Sequence, residues 1–293
     1  MTAPDGIVVV DKPAGPTSHD VVNRLRRVFG TRRVGHAGTL DPPATGILLV
    51  GLERATRILQ FLQGLPKTYR AVVRFGVETT TLDATGSVVA ERPCTFGETD
   101  LRAAAAGMVG EISQVPPMVS AVRVGGERLY KAARRGEEVE RPARTVAVYA
   151  LDVLAFDPEA WEATIELRCS GGTYVRTLAA DLGTQLGCGA HVRSLRRRAV
   201  GSLGEADAVA LDALERLDAD ARRARVLPMA AALRDLAAVQ VSDEDLAAVG
   251  HGRALGSCEG EAGPPVAVVD PEGRLVAVYR RQGAGLTPEA VLL

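Results

Sequence analysis

The run Gly35-His36-Ala37-Gly38-Thr39-Leu40-Asp41-Pro42-Pro43-Ala44-Thr45-Gly46 places one carboxylate in a Gly- and Pro-punctuated loop just before an apolar segment. Glycine tolerates backbone conformations and close approaches that a side chain blocks, and consecutive prolines hold the residues after the acid in a narrow range of φ. The loop therefore fixes Asp41 and leaves space beside it. Taken alone it has two readings: a chemically active acid, or the N-cap of a short helix with Pro42 at the first helical position.

Working outward, Ile7-Val8-Val9-Val10 reads as a buried strand running into the turn-rich loop Asp11-Lys12-Pro13-Ala14-Gly15-Pro16. Ser18 is expected to cap a helix whose apolar face is Val21, Val22, Leu25, Val28 and Phe29, with Arg24 and Arg27 off that face and Gly30 ending it. A second helix is expected from about Arg54 to Gln63, closed by Gly64. Tyr69, Ala71, Val73 and Phe75 alternate along a strand, and Ala163, Ile165, Leu167 and Cys169 repeat the pattern. Between them, residues 122–144 are rich in Gly, Arg and Glu around Tyr130, with seven basic residues against four acids, and suggest a protruding RNA-contacting insertion. Near Leu227-Pro228 the character changes: from Val226 onward five Arg oppose nine Asp or Glu. There, Val266–Val269 and Leu275–Tyr279 flank Asp270-Pro271-Glu272-Gly273, a hairpin signal in a small β-rich segment.

A chain of 293 residues buries a sizeable core, and its apolar and charged fractions are those of an ordinary globular protein. No run is apolar and long enough to span a bilayer, and the start lacks signal-peptide character, so no membrane is expected and the location is read as cytoplasmic. The four cysteines and four histidines are scattered, without metal-ligand spacing, and there is no Gly-rich phosphate loop ending in Lys-Ser or Lys-Thr. No metal and no nucleotide cofactor are expected. Two acid-free runs, residues 24–33 with five Arg and residues 191–198 with four, are candidate phosphate contacts or solvated Arg-rich faces.

Four stretches in order carry a resemblance: Asp11-Lys12-Pro13-Ala14-Gly15-Pro16-Thr17-Ser18, the Asp41 loop, Gln114-Val115-Pro116-Pro117-Met118-Val119-Ser120-Ala121, and Cys169-Ser170-Gly171-Gly172-Thr173-Tyr174-Val175-Arg176-Thr177-Leu178. With Tyr69-Arg70-Ala71 and Gly125-Gly126-Glu127-Arg128-Leu129-Tyr130, they resemble the TruB-type tRNA pseudouridine-55 synthases over about residues 6–200. The resemblance implies that Asp41 is the catalytic aspartate of a cofactor-free isomerisation, which detaches a flipped uracil from its ribose and reattaches it through carbon. It implies that Arg176 pairs with Asp41 and keeps it ionised, and that Tyr69 stacks on the base and serves proton transfer.

Among substrate-binding positions it implies His36, which fills space vacated by flipped bases or stacks in the T loop, and Gly38 and Thr39 of the Asp41 loop. Lys12 supports that loop or contacts phosphate, Asp83 belongs to a hydrogen-bond network, and Tyr174 and Leu195 wall the uracil pocket. Gly171 departs from the pattern, since many members carry Lys there.

The expected fold is α+β, a mixed, mostly antiparallel sheet of the pseudouridine synthase type with flanking helices. Residues 1–227 form the catalytic domain and residues 228–293 a small β-rich PUA-like domain. The expected partner is the T-arm stem-loop of tRNA, acted on by a monomer. Alternatives are a tRNA-binding folding factor and a guide-RNA-dependent synthase subunit.

Overall fold

The computed structural model describes residues 3–120, 123–124, 127–128, 135, 137 and 139–293. The chain divides into two compact units, one of Met1–Pro42, Gly46–Leu65 and Val200–Leu293, the other of Pro43–Thr45 and Pro66–Ala199. Both are built on mostly antiparallel strands with flanking helices.

In the first unit β1 (Gly6–Lys12) and β2 (Val34–Ala37) both pair antiparallel with β3 (Thr45–Leu52). Ile7–Val10 are all buried, because the strand is covered on both faces and needs no polar alternation. The helix α1 (Ser18–Phe29) buries Val21, Val22 and Leu25 and ends at Gly30 with φ 65°. Its cap is Thr17, not Ser18. Asp20 accepts from the Thr17 N–H at 2.9 Å while its own N–H donates to Thr17 Oγ1 at 3.1 Å, a reciprocal capping box. The second expected helix is a 3₁₀ segment, Glu53–Ile58, followed by one short α-helix, Leu59–Gly64. Gly64 is its last residue and Leu65 turns extended, as the residue before Pro66 is obliged to.

The C-terminal sheet runs in the order Ala237–Gln240, Ala262–Val269, Leu275–Gln282, Gly285–Val291, with its first pairing parallel and the others antiparallel. The Asp270–Gly273 turn forms as expected: Gly273 takes φ 79° and Asp270 Oδ1 accepts from the Arg274 N–H at 2.8 Å. The apolar run is continuous because both faces are covered. Ala267, Leu275 and Val278 share one core with Ile7, Val9, Ile47 and Leu49, while Val266, Val268, Val276 and Tyr279 pack in a second with Val249.

In the second unit the strand order is Ala190–Val200, β4 (Lys67–Phe75), Glu162–Cys169, Arg144–Asp157, Gly110–Gln114. The alternation reads as expected: Tyr69, Ala71, Val73 and Phe75 are buried on β4, and Ala163, Ile165, Leu167 and Cys169 on its antiparallel neighbour. Tyr69 lies opposite Leu167, and Lys67 opposite Cys169. At the far end Phe96 packs its ring on Phe75, Phe156 and Trp161 at centroid distances of 5.1, 5.6 and 5.3 Å. Within the expected insertion, Arg123–Val124 pairs antiparallel with Glu127–Arg128, and Arg144 already begins a long strand. Tyr130 and about half of that segment lie outside the described residues. Among the described residues no helix is long and apolar enough to cross a membrane.

Candidate active site

The Asp41 loop is tied down on both sides of the acid. Ser18 Oγ, at the start of α1, accepts from the Leu40 N–H at 2.9 Å and donates to the Leu40 carbonyl at 3.1 Å. On the other side the Pro42 carbonyl accepts from the Gly15 N–H at 2.8 Å and from Lys12 Nζ at 3.1 Å. Lys12 is wholly buried, and its ammonium also donates to the carbonyls of Pro13 and Pro16, each at 2.8 Å. An ammonium with three carbonyl acceptors replaces its hydration with fixed dipoles, so its burial is compensated. In this geometry the Lys12 ammonium faces the backbone of its own loop and of the loop that carries Asp41.

The helix-cap reading of Asp41 fails. Pro42 and Pro43 form a turn that leads straight into β3, and a proline at 43 pushes residue 42 out of the α region. Asp41 is half-buried, Thr39 is exposed, and Gly38 takes φ 88°, a conformation closed to most side chains. His36 sits half-buried on β2 opposite Val50.

The second unit carries the other predicted residues. Arg176 stands in the first turn of helix Val175–Gln185 and is 4% exposed. Its Nη1 donates to the Thr81 carbonyl at 2.8 Å, its Nη2 to the Val119 carbonyl at 2.8 Å, and Asp83 Oδ2 lies 3.8 Å from Nη1. Asp83 organises its own turn, accepting through Oδ1 from Thr81 Oγ1 at 2.7 Å, the Thr85 N–H at 2.9 Å and Thr85 Oγ1 at 2.6 Å. The turn is strained at Leu82, with φ 60°, and is held by the backbone bonds Ala84 N–H to Val192 carbonyl and Val192 N–H to Leu82 carbonyl, both 3.0 Å. The structure thus brings Arg176 and Asp83 together. Tyr69 is buried on β4, Leu195 is half-buried with its carbonyl 3.5 Å from Thr45 Oγ1, and Tyr174 immediately precedes the Arg176 helix. Gly171 is half-buried in a tight turn that Thr173 Oγ1 closes onto the Ser170 carbonyl at 3.0 Å.

Sequence reasoning missed two buried groups here. Gln114, 1% exposed, accepts from the Tyr174 N–H through Oε1 at 3.0 Å and donates from Nε2 to the Tyr174 carbonyl at 3.3 Å. Lys67 shares the inward face of β4 with Tyr69, two residues away; burial and then the nearby Arg197 push its ammonium down to about 8. Strand parity flagged Tyr69 and, two positions earlier, would have flagged Lys67.

The basic runs divide. Arg24 grips Glu215 through Nε and Nη2, both at 2.6 Å, and Asp212 at 2.5 Å, which corrects its reading as a phosphate contact. Arg27, Arg32 and Arg33 are exposed. In the second run Arg193 pairs with Glu162 and Arg198 with Glu166, while Arg197 is 1% exposed and no surface contact.

Three family descriptions match successive parts of the chain. They are the N-terminal domain of TruB family pseudouridylate synthases over residues 26–175, the tRNA pseudouridylate synthase B C-terminal domain over 176–234, and the tRNA pseudouridine synthase II C-terminal segment over 236–293. A tRNA pseudouridine synthase B of Ralstonia nicotianae is 45% identical over 95% of this chain and 86% of its own length. One of Thermobifida fusca is 44% identical over 98% of each chain. Among solved structures, a Cbf5-Nop10-Gar1 complex matches with a TM-score of 0.77 at 28% identity, over 98% of this chain and 85% of the matched one. An H/ACA RNP bound to a substrate RNA containing 2'-deoxyuridine matches with a TM-score of 0.75 at 26% identity, over 98% and 85%. The family match over residues 26–175 and relatives at 44–45% identity over 95–98% of this chain carry one conclusion: the chain belongs to the TruB family of pseudouridylate synthases.

Proposed function

We propose that this enzyme converts the uridine at position 55, in the T loop of tRNA, to pseudouridine, acting as a cytoplasmic monomer on the T-arm stem-loop. The bond between ribose and the base nitrogen breaks, a bond to a ring carbon forms, and a proton leaves that carbon while one returns to nitrogen. Electrons and groups balance within one nucleotide, so the reaction requires no redox partner or group donor. The observation that carries this reading is the bracing of Asp41: Leu40 and Pro42, on either side of it, are both held by buried donors and acceptors, which fixes the backbone that bears the carboxylate.

Asp41 is the proposed catalytic carboxylate, and Arg176 the guanidinium that favours its ionised form when the flipped base excludes water. Tyr69 is the proposed stacking surface for the base and a relay for its proton. Tyr174 and Leu195 wall the pocket, Asp83 holds Arg176 in place, and His36, Gly38 and Thr39 meet the RNA where its bases are splayed out. A loop nucleotide costs less to extrude than a paired one, which favours the T loop over a stem. The relatives at 43–46% identity are named tRNA pseudouridine synthase B, whereas the Cbf5-Nop10-Gar1 and H/ACA RNP structures match at 26–28%, which favours tRNA as the substrate.

Asp41→Asn tests the reading. The variant is expected to bind T-arm RNA and to form no pseudouridine in it; unchanged product formation would remove Asp41 from the reaction.

A further inference from the structure

The segment from Gln114 to Val119 is stitched to the start of helix Val175–Gln185 along its length. Gln114 clamps both backbone groups of Tyr174, the Val115 carbonyl lies 3.5 Å from Thr177 Oγ1, and the Val119 carbonyl accepts from Arg176. Pro116 and Pro117 stiffen the span between these points by fixing φ at two successive residues.

Of these contacts only the one at Gln114 uses a side chain of the strap, and that side chain is buried at the end of the edge strand Gly110–Gln114. The strand is held in turn by its pairing with Arg144–Asp157, where Gln114 lies opposite Arg144. The helix start has no side-chain cap of its own: Tyr174 occupies the cap position in an extended conformation, and its side chain makes no capping hydrogen bond. The Gln114 amide supplies what a neighbouring strand would, one acceptor for the N–H and one donor for the carbonyl. Of the strap's contacts with the helix start, this carboxamide is therefore the one that engages both backbone groups of Tyr174, the residue before the helix and two before Arg176.

We infer that Gln114 is a positioning residue for the isomerisation, fixing the helix start so that Tyr174 and Arg176 meet the uridine in reactive register. The inference rests on the pseudouridine synthase reading and adds to it a residue that touches neither substrate nor reacting atoms. Gln114→Met keeps length and volume and removes both hydrogen bonds. Gln114→Glu keeps the acceptor for the Tyr174 N–H and loses the donor to its carbonyl.

The experiment measures the single-turnover rate constant for pseudouridine formation on a tRNA transcript, and RNA affinity, with the full chain at a temperature where its near-UV circular dichroism shows it folded. The folded Gln114→Met variant is expected to lose about tenfold or more in rate constant, because a misplacement of an ångström at a reacting centre is that costly. Its affinity is expected to stay within about threefold of the unsubstituted protein, since the RNA surface is intact. Gln114→Glu is expected to lose at least as much, because it sets a buried carboxylate oxygen against the Tyr174 carbonyl. Gln114→Asn, which keeps the amide and shortens its reach, is expected to fall between the methionine variant and the unsubstituted protein, and it carries the test if the methionine variant does not fold. An unaltered rate constant in the folded variant overturns the inference, because a purely structural role changes only how much protein is folded. Equal losses of rate and affinity overturn it too. An unsubstituted protein inactive on every tRNA transcript would instead bring down the functional reading, and this inference with it.

Discussion

Lys12 donates its ammonium to the carbonyl of Pro42 at 3.1 Å from a position with no solvent exposure, and Pro42 directly follows Asp41. The last residue of β1 therefore sets where the carboxylate-bearing loop turns.

Lys12→Met leaves the carbonyls of Pro13, Pro16 and Pro42 short of a donor. At roughly 1–3 kcal/mol for each buried group left unsatisfied, partly relieved by water, the variant is expected to lose about 2–4 kcal/mol of stability in a urea titration. The slope of RNA affinity against salt is expected to stay as in the unsubstituted protein. A shallower slope would return Lys12 to the phosphate contacts.

Arg176→Ala removes donors from the Thr81 and Val119 carbonyls and leaves Asp83 without its guanidinium neighbour. The expected loss is about a hundredfold or more in turnover with affinity changed by less than about fivefold. Comparable losses in both would make Arg176 a substrate-binding residue. Arg176→Lys keeps the charge but not the fork that reaches two carbonyls at once, so it is expected to remain well below the unsubstituted protein.

Lys67 gives the fold a pH dependence. Its folded pKa of about 8 lies below the ordinary 10.5, so between those values the unfolded chain binds more protons and stability rises with pH. The charged form is penalised in full below about pH 8, and the penalty is released towards pH 10.5. The rise is expected to amount to roughly 3 kcal/mol, because each pH unit between the two values is worth about 1.4 kcal/mol. Lys67→Met is expected to flatten that limb, and a limb unchanged in the variant would assign the dependence to another group.

The two kinds of arginine near α1 separate by salt. Arg32→Ala with Arg33→Ala is expected to lower the slope of log affinity against log salt by about one for each phosphate left unneutralised. Arg24→Ala is expected to leave the slope unchanged, because its guanidinium already holds Asp212 and Glu215. Equal effects would place all three on the RNA.

Periodicity carried much of the architecture. Tyr69, Ala71, Val73 and Phe75, and Ala163, Ile165, Leu167 and Cys169, lie on buried strand faces because an alternating pattern of this kind can satisfy a one-sided core only in one register. The Asp270–Gly273 turn was legible for a comparable reason, since Gly273 takes a backbone conformation that few other residues reach at low cost. The cap of α1 lies one residue before the expected position. Ser18 and Thr17 are equivalent as local cap signals, and the choice fell to Thr17 because the Ser18 hydroxyl is engaged by Leu40, far along the chain.

By itself the sequence determined the family, the strands and their inward faces, and a stiff loop around one acid, because these depend on local backbone preference and on motifs in order. Only the tertiary structure decided that Lys12 is a buried brace, that Arg24 belongs to an ion-pair cluster, that Gln114 holds a helix start, and that Asp41 caps no helix. Each of those depends on what stands opposite a side chain. A partner brought in from a distant part of the chain leaves no periodic trace beside the residue it meets.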